Sequence, residues 1–194
     1  MKVLLIRHGK SEKSGGGQID IPLSEKGLLQ AQKVSQYLAK HQPIDRIYSS
    51  PLTRALHTAQ AIGETTGTPV QVDVQMMERT SGIFDGYTNE EREERYPSEW
   101  LYFSNHRAEA APNGESLFHL DERVSQVMDR VVDASSNDTI AIVSHGEWIN
   151  LFLHKVLEVP LYHYPMFKVK PASVSLLSFK KTGQKVVHYL NRVY

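Results

Sequence analysis

Two histidines stand in matching local contexts far apart in this chain. Lys2-Val3-Leu4-Leu5-Ile6-Arg7-His8-Gly9 and Thr139-Ile140-Ala141-Ile142-Val143-Ser144-His145-Gly146 each run through apolar residues and stop on a polar residue, a histidine and a glycine. A neutral imidazole is available near neutral pH as a nucleophile and as a proton carrier, so His8 and His145 together make a candidate active site. Arg7 precedes His8, and Arg54 falls in the first turn of an expected helix. The planar guanidinium fork matches phosphoryl oxygens as a lysine does not. An arginine at a helix N-terminus also runs against the helix dipole, which a nearby anion would explain. The aperiodic stretch from Met76 to Tyr87 carries two carboxylates, Glu78 and Asp85. Either, kept protonated by burial or by neighbouring negative charge, could protonate a leaving oxygen, and the residue pattern leaves the choice open.

Other chemistries fit less well. The remaining histidines, His41, His57, His106, His119, His154, His163 and His188, read as surface or packing residues. There is no HExxH spacing and no EF-hand pattern, so a metal site is the minor reading. Gly15-Gly16-Gly17 lacks the spacing of a nucleotide-binding loop, and Ser144 lies outside a GxSxG frame. Basic and acidic residues balance at 22 each, which gives no overall field for nucleic acid, and there is no cysteine for a disulfide, thiolate or iron-sulfur site. No apolar run approaches the ~20 residues of a membrane span, and the N-terminal run is too short for a signal peptide. The expectation is a soluble, cytoplasmic protein without membrane contact.

The elements that must position these residues read as alternating strands and helices. A run of apolar, β-branched residues ending on polar groups is how a buried parallel strand delivers side chains to the carboxyl edge of a sheet. Ser11, Ser14 and the three glycines make a flexible loop after the first strand. Ser24 caps a helix with Leu28, Ala31, Val34 and Leu38 inward. Arg46 to Ser49 is a short strand, and Ser50-Pro51 opens a helix burying Leu52, Ala55, Ala59 and Ile62. Val70 to Val74 alternates as a strand, Thr88 with Glu91 forms a capping box, and Trp100, Leu101 and Phe103 mark a further short helix after Pro97. Asn113-Gly114 is a turn. A long helix from Ser116 to about Ser135 turns Leu117, Leu120, Val124, Val127, Met128 and Val131 inward. Glu147 to Leu153 is a mostly apolar helix, and Lys180 to Gly183 joins two final strands as a hairpin.

Four separated segments resemble the histidine phosphatase superfamily, also called phosphoglycerate mutase-like: Arg7-His8-Gly9, the stretch from Asp20 to Gly27, the stretch from Ser49 to Ala55, and Ser144-His145-Gly146. The resemblance spans nearly the whole chain in the expected order. It implies a three-layer α/β sandwich, with a mainly parallel central sheet and helices on both faces, as one domain over 1–194 with 88–114 as a small helical cap insertion. It implies that His8 accepts the phosphoryl group, that Arg7, Arg54 and His145 surround it, and that Glu78 rather than Asp85 donates the proton. No metal and no cofactor are needed. Where family members often carry a phosphate-binding asparagine, this chain has the shorter Ser14. The implied activity is hydrolysis of a small phosphorylated metabolite through a phosphohistidine. A cofactor-dependent phosphoglycerate mutase is the alternative, less favoured because such mutases are generally longer, and a non-catalytic phospho-ligand binding domain is the third. In the expected cap, Tyr102, His106 and Arg107 are candidates for the leaving-group pocket, whereas Trp100 and Phe103 read as packing. The oligomeric state is not legible, because a helix face that pairs with another subunit looks like one that pairs within its own chain.

Overall fold

The first apolar run is the strand β1 (Lys2–Arg7), inside a six-stranded sheet, in a computed structural model that describes residues 1–133 and 135–194. The second run is β4 (Thr139–Ser144), which lies parallel beside it, and β5 (Val174–Phe179) pairs antiparallel on its other side. With β2 (Arg46–Ser49), β3 (Val70–Val72) and β6 (Lys185–Arg192) the order is β3-β2-β4-β1-β5-β6. The four strands from β3 to β1 are parallel, and the β5–β6 hairpin supplies the antiparallel edge.

Helices cover both faces, as expected. Successive side chains of a strand point to opposite faces, so an uninterrupted apolar run can serve two cores. Leu4, Ile6, Ala141 and Val143 pack with Val34 and Leu38 of α1 (Glu25–His41) and Ala55, Ala59 and Ile62 of α2 (Thr53–Thr66). Val3, Leu5, Ile140 and Ile142 pack on the other side with residues of α5 (Leu117–Val131) and α6 (Gly146–Leu157). Two short helices, α3 (Asn89–Arg95) and α4 (Pro97–Asn105), stand apart from both cores around Phe84, Phe103 and Ala111. Burying each large aliphatic side chain contributes roughly 1.5–3 kcal/mol, so the two main cores dominate the stability. No helix among the described residues is long and apolar enough to cross a membrane.

Local signals explain most boundaries. The Ser24 side chain accepts the Gly27 N–H, that of Ser116 accepts the His119 N–H, and Thr88 with Glu91 forms the full capping box. The second helix departs from expectation: it begins at Thr53, two residues beyond Pro51. Its own cap, Leu52, offers no acceptor, and Asp20 from a distant loop takes the Thr53 N–H at 2.7 Å and the Thr53 hydroxyl at 2.6 Å. Leu28 is 47% exposed, because α1 turns Gly27, Ala31, Val34, Ser35 and Leu38 inward instead. The third strand stops at Val72, where Asp73 caps a single turn of 3₁₀ helix, and the edge position leaves Val72 and Val74 exposed. The long helix ends at Val131, short of the polar run, while α6 continues past Leu153 to Leu157.

Gly9 and Gly27 allow the loop after β1 to lie against the start of α1. A Cβ on Gly9 would stand 2.5 Å from the Gly27 carbonyl oxygen, and one on Gly27 would stand 2.0 Å from the Lys10 carbonyl oxygen. Glycine to alanine in a helix ordinarily stabilises by about 1 kcal/mol. Here the sign reverses, because both obstacles are backbone atoms. Gly27→Ala is expected to lower unfolding free energy by about 1–3 kcal/mol in a urea titration, and a stabilised variant would show that the two segments are not held in contact.

Candidate active site

The strand register places the two histidines. Arg7 is paired with Ser144 across the parallel β1–β4 ladder, so His8 and His145 leave neighbouring strands at the same edge. Their ring centroids are 5.0 Å apart with the planes tilted by 57°. The adjacent ladder pairs Ser49 with Val143, which brings Ser50 to the same edge, where its Oγ lies 2.8 Å from His145 Nε2. Both imidazoles are buried. The nearest partner of His8 Nδ1 is the Gly9 carbonyl oxygen at 2.6 Å, and a carbonyl only accepts, so Nδ1 carries the hydrogen and Nε2 keeps its lone pair. Burial, reinforced by the positive charges of Arg7 and Arg54, pushes the His8 pKa down to about 3. Burial also holds His145 well below the usual histidine range, with His8, Arg54 and Arg7 acting in the same direction. Both rings are therefore neutral at physiological pH.

The two arginines are anchored through carbonyl oxygens. Arg7 donates Nη1 to Val169 O at 2.6 Å, while its buried Nε has no partner among the described residues. Arg54 donates Nη1 to Ile19 O at 2.9 Å and Nη2 to Gly17 O at 2.6 Å. Burial, the leading cause in each case, lowers the pKa of both guanidinium groups, opposed by the charge of Glu78. A buried cation, Arg54, and a half-buried one, Arg7, beside two neutral imidazoles form a site that can hold an anion.

Geometry separates the two carboxylates. Asp85 is committed to loop donors, accepting the N–H of Gln18 from the loop after β1 and, from its own loop, the N–H of Ser81 and the Thr80 hydroxyl. Glu78 instead reaches the start of α6. Its Oε1 accepts from the N–H groups of Arg79 at 3.1 Å and Trp148 at 3.3 Å, and its Oε2 accepts from that of Glu147 at 3.3 Å. Burial first, then the charge of Glu147, raises the Glu78 pKa, against Arg7 and the backbone donors. A carboxyl group so placed can carry a proton to an oxygen and take it back.

Arg7, His8, Arg54, Glu78 and Ser14 line one cavity of about 590 Å³, together with Gly15, Gly16, Gly17, Arg79, Arg92 and Glu147. His145 stands behind this wall, fully buried, with Nδ1 unpartnered among the described residues. The glycine loop closes over the site through Arg92, which donates to Gly15 O at 3.2 Å. Trp100 packs edge-on and Phe103 tilted against Phe84, as expected of packing residues. Tyr102, His106 and Arg107 are exposed and lie outside the cavity wall. Ser50 and Glu147 are not legible as site residues: the sequence offers a serine before a proline and a glutamate in a helix, and only the register and the α6 start give them a place. Of the other histidines, His154 alone is buried, packed edge-on against Phe167 with Nδ1 at 3.2 Å from Val159 O. Among the described residues no group of three or more His, Cys, Asp or Glu is arranged to hold a metal ion.

A neutral imidazole flanked by two arginines at the carboxyl edge of a parallel sheet is an arrangement suited to handling a phosphoryl group. Residues 3–192 match the histidine phosphatase superfamily (branch 1), and the chain belongs to that family. It is 32% identical over 176 residues to glucosyl-3-phosphoglycerate phosphatase of Mycolicibacterium vanbaalenii, covering 85% of this chain and 78% of the relative. It is 33% identical over 152 residues to phosphoglycerate mutase-like protein 4 of Arabidopsis thaliana, covering 75% of this chain and 66% of that relative, just under two thirds of its length. Among solved structures, phosphoserine phosphatase of Entamoeba histolytica in complex with 3-phosphoglyceric acid superposes with a TM-score of 0.82 at 30% identity, covering 99% of this chain and 97% of that one.

The buried neutral histidines set an acid limit on stability. The unfolded chain protonates them near pH 6.5, whereas folded His8 resists protonation down to about pH 3. In that window the unfolded state binds more protons, so stability falls as pH drops, by up to about 1.4 kcal/mol per pH unit per histidine. His8→Gln should lose less unfolding free energy than the native protein between about pH 6.5 and pH 4.5, by roughly 2 kcal/mol in denaturant titrations. Equal losses would mean that His8 is protonated in the fold.

Proposed function

We propose that the chain is a phosphoric monoester hydrolase that uses His8 as nucleophile and Glu78 as proton donor on a small phosphorylated metabolite. The observation that carries this reading is the 2.6 Å contact of His8 Nδ1 with the Gly9 carbonyl, which leaves Nε2 unprotonated beside two guanidinium groups. Nε2 attacks phosphorus in line, the bond from phosphorus to the leaving oxygen breaks, and Glu78 gives its proton to that oxygen. Arg7 and Arg54 hold the phosphoryl oxygens, and His145, neutral and oriented by Ser50, donates to another. Glu78, now a carboxylate, takes a proton from water as it attacks the phosphohistidine, and phosphate leaves with His8 restored. Ser14 contributes one hydroxyl donor from the loop.

Support for a hydrolase comes from the family and from relatives named as phosphatases. The helices between 88 and 114 serve in this reading as a cap-like insertion to one domain, with their aromatic residues committed to Phe84. No metal or organic cofactor takes part in the scheme. A place in the cytoplasm belongs to the same proposal, consistent with a chain that carries no disulfide.

Phosphate release from a panel of phosphomonoesters in EDTA tests the assignment. His8→Ala should abolish turnover, and Glu78→Gln should lower kcat by about 10²–10⁴-fold for esters with poor leaving groups. Isomerisation of monophosphoglycerate faster than phosphate release would make the chain a mutase instead. Ser14→Ala should cost roughly tenfold to a hundredfold in kcat/KM, the contribution of one hydrogen bond to a charged group, and an unchanged kcat/KM would mean that Ser14 does not reach the phosphoryl group.

A further inference from the structure

We propose that Arg123, held by Glu115, is a positioning residue for the proton donor: its guanidinium fixes the backbone that carries Glu78 and so sets where the Glu78 carboxyl stands against the leaving oxygen. This rests on the phosphatase reading, in which Glu78 protonates that oxygen. Glu78 lies in no helix or strand, so no ladder fixes it. Its carboxylate oxygens meet the N–H groups of Glu147 and Trp148 at 3.3 Å each, longer than the ~2.9–3.0 Å of a well-made N–H···O bond. Such contacts guide the carboxyl group loosely, and its place depends on what holds the chain on either side.

Side chains hold that chain through its carbonyl oxygens. Arg123, in the second turn of α5, donates Nη1 to Gln75 O at 2.6 Å and to Met77 O at 3.1 Å, and its Nη2 comes within 3.5 Å of Glu78 O. Glu115, just before the Ser116 cap, takes the other edge of the fork: Oε1 accepts from Nε at 2.7 Å and Oε2 from Nη2 at 2.8 Å. This bidentate pair leaves the planar guanidinium one orientation, and a lysine offers no such plane. Gln75 O also accepts from the Trp148 ring N–H at 2.9 Å, so Arg123 joins α5 to the start of α6 through the segment that bears the donor. The backbone of Glu115 holds the other side of Glu78, accepting from Arg79 Nε at 2.8 Å and donating to Thr80 O at 2.9 Å. Neither Arg123 nor Glu115 lines the cavity, so they reach the reaction only through other residues. The Arg123 charge is also felt by His145, which in the same reading serves the phosphoryl group whatever alcohol leaves it, and that route predicts a different pattern of losses.

Leaving-group dependence separates the two routes. An oxygen that leaves easily needs no proton, so displacing Glu78 should matter least for p-nitrophenyl phosphate, more for phenyl phosphate and most for n-propyl phosphate. The ratio kcat/KM reports only the steps up to departure of the alcohol. In Arg123→Gln, checked for native circular dichroism, kcat/KM should fall about 10²-fold for n-propyl phosphate, the cost of a catalytic group misplaced by about 1 Å, and change little for p-nitrophenyl phosphate. Glu78→Gln should show the same order, the double variant should lose no more than Glu78→Gln alone, and Arg123→Lys should recover part of the loss. Glu115→Gln, which keeps the cation and loosens its clamp, should give the same order with a smaller contrast, and it carries the comparison if Arg123→Gln does not fold. A loss uniform across the three esters overturns the inference, because a role in the fold or through His145 has no regard for the leaving group. So does full activity in both Arg123→Gln and Glu115→Gln, or losses that multiply in the double variant. In each of these cases the phosphatase stands. A flat dependence in Glu78→Gln, or no hydrolysis of any ester by the native protein, removes the proton-donor reading and this inference with it.

Discussion

The site depends on one ladder of backbone hydrogen bonds. Because β1 and β4 are parallel and Arg7 faces Ser144, the residues that follow them emerge at one edge of the sheet with their rings 5.0 Å apart. A shift of that ladder by one residue would send each side chain to the opposite face and separate the pair. The β2–β4 ladder extends the same logic to Ser50, and the apolar strand interiors hold the registers by filling two cores at once.

Burial then sets protonation states that no single side chain could set alone. Removing His8 and His145 from water beside two arginines makes the imidazolium form costly, which keeps both rings neutral. The same removal acts oppositely on Glu78, where the acid form is favoured and the adjacent Glu147 adds to the effect. One low-dielectric pocket thus pushes the imidazoles toward their neutral form and the Glu78 carboxyl toward its acid form, opposite directions from one cause.

Much of this is legible in the sequence, and the failures have physical causes. The two strands ending in His-Gly are visible because apolar runs followed by polar breaks are a local pattern, and Arg7, His8, Arg54 and Glu78 all reach the cavity. Spacing alone puts Leu28 on the wrong face of α1 because it cannot tell that residue from Gly27, whose lack of a side chain is what lets that face approach a loop. The start of α2 escapes the same reading because its cap comes from Asp20, 33 residues upstream, and helix signals read only neighbours. Glu78 and Asp85 cannot be separated from residues alone, since what divides them is which donors each has already taken.

The carbonyl anchors of the arginines have a consequence for ligand affinity. Arg54 is tied to Gly17 and Ile19, and Arg7 to Val169, by backbone oxygens that belong to the fold itself. A long side chain gives up rotamer freedom when it is ordered, and here that loss is taken when the chain folds. The guanidinium groups are preorganised, so an anion entering the cavity meets a charge field already in place and keeps more of the interaction energy as binding.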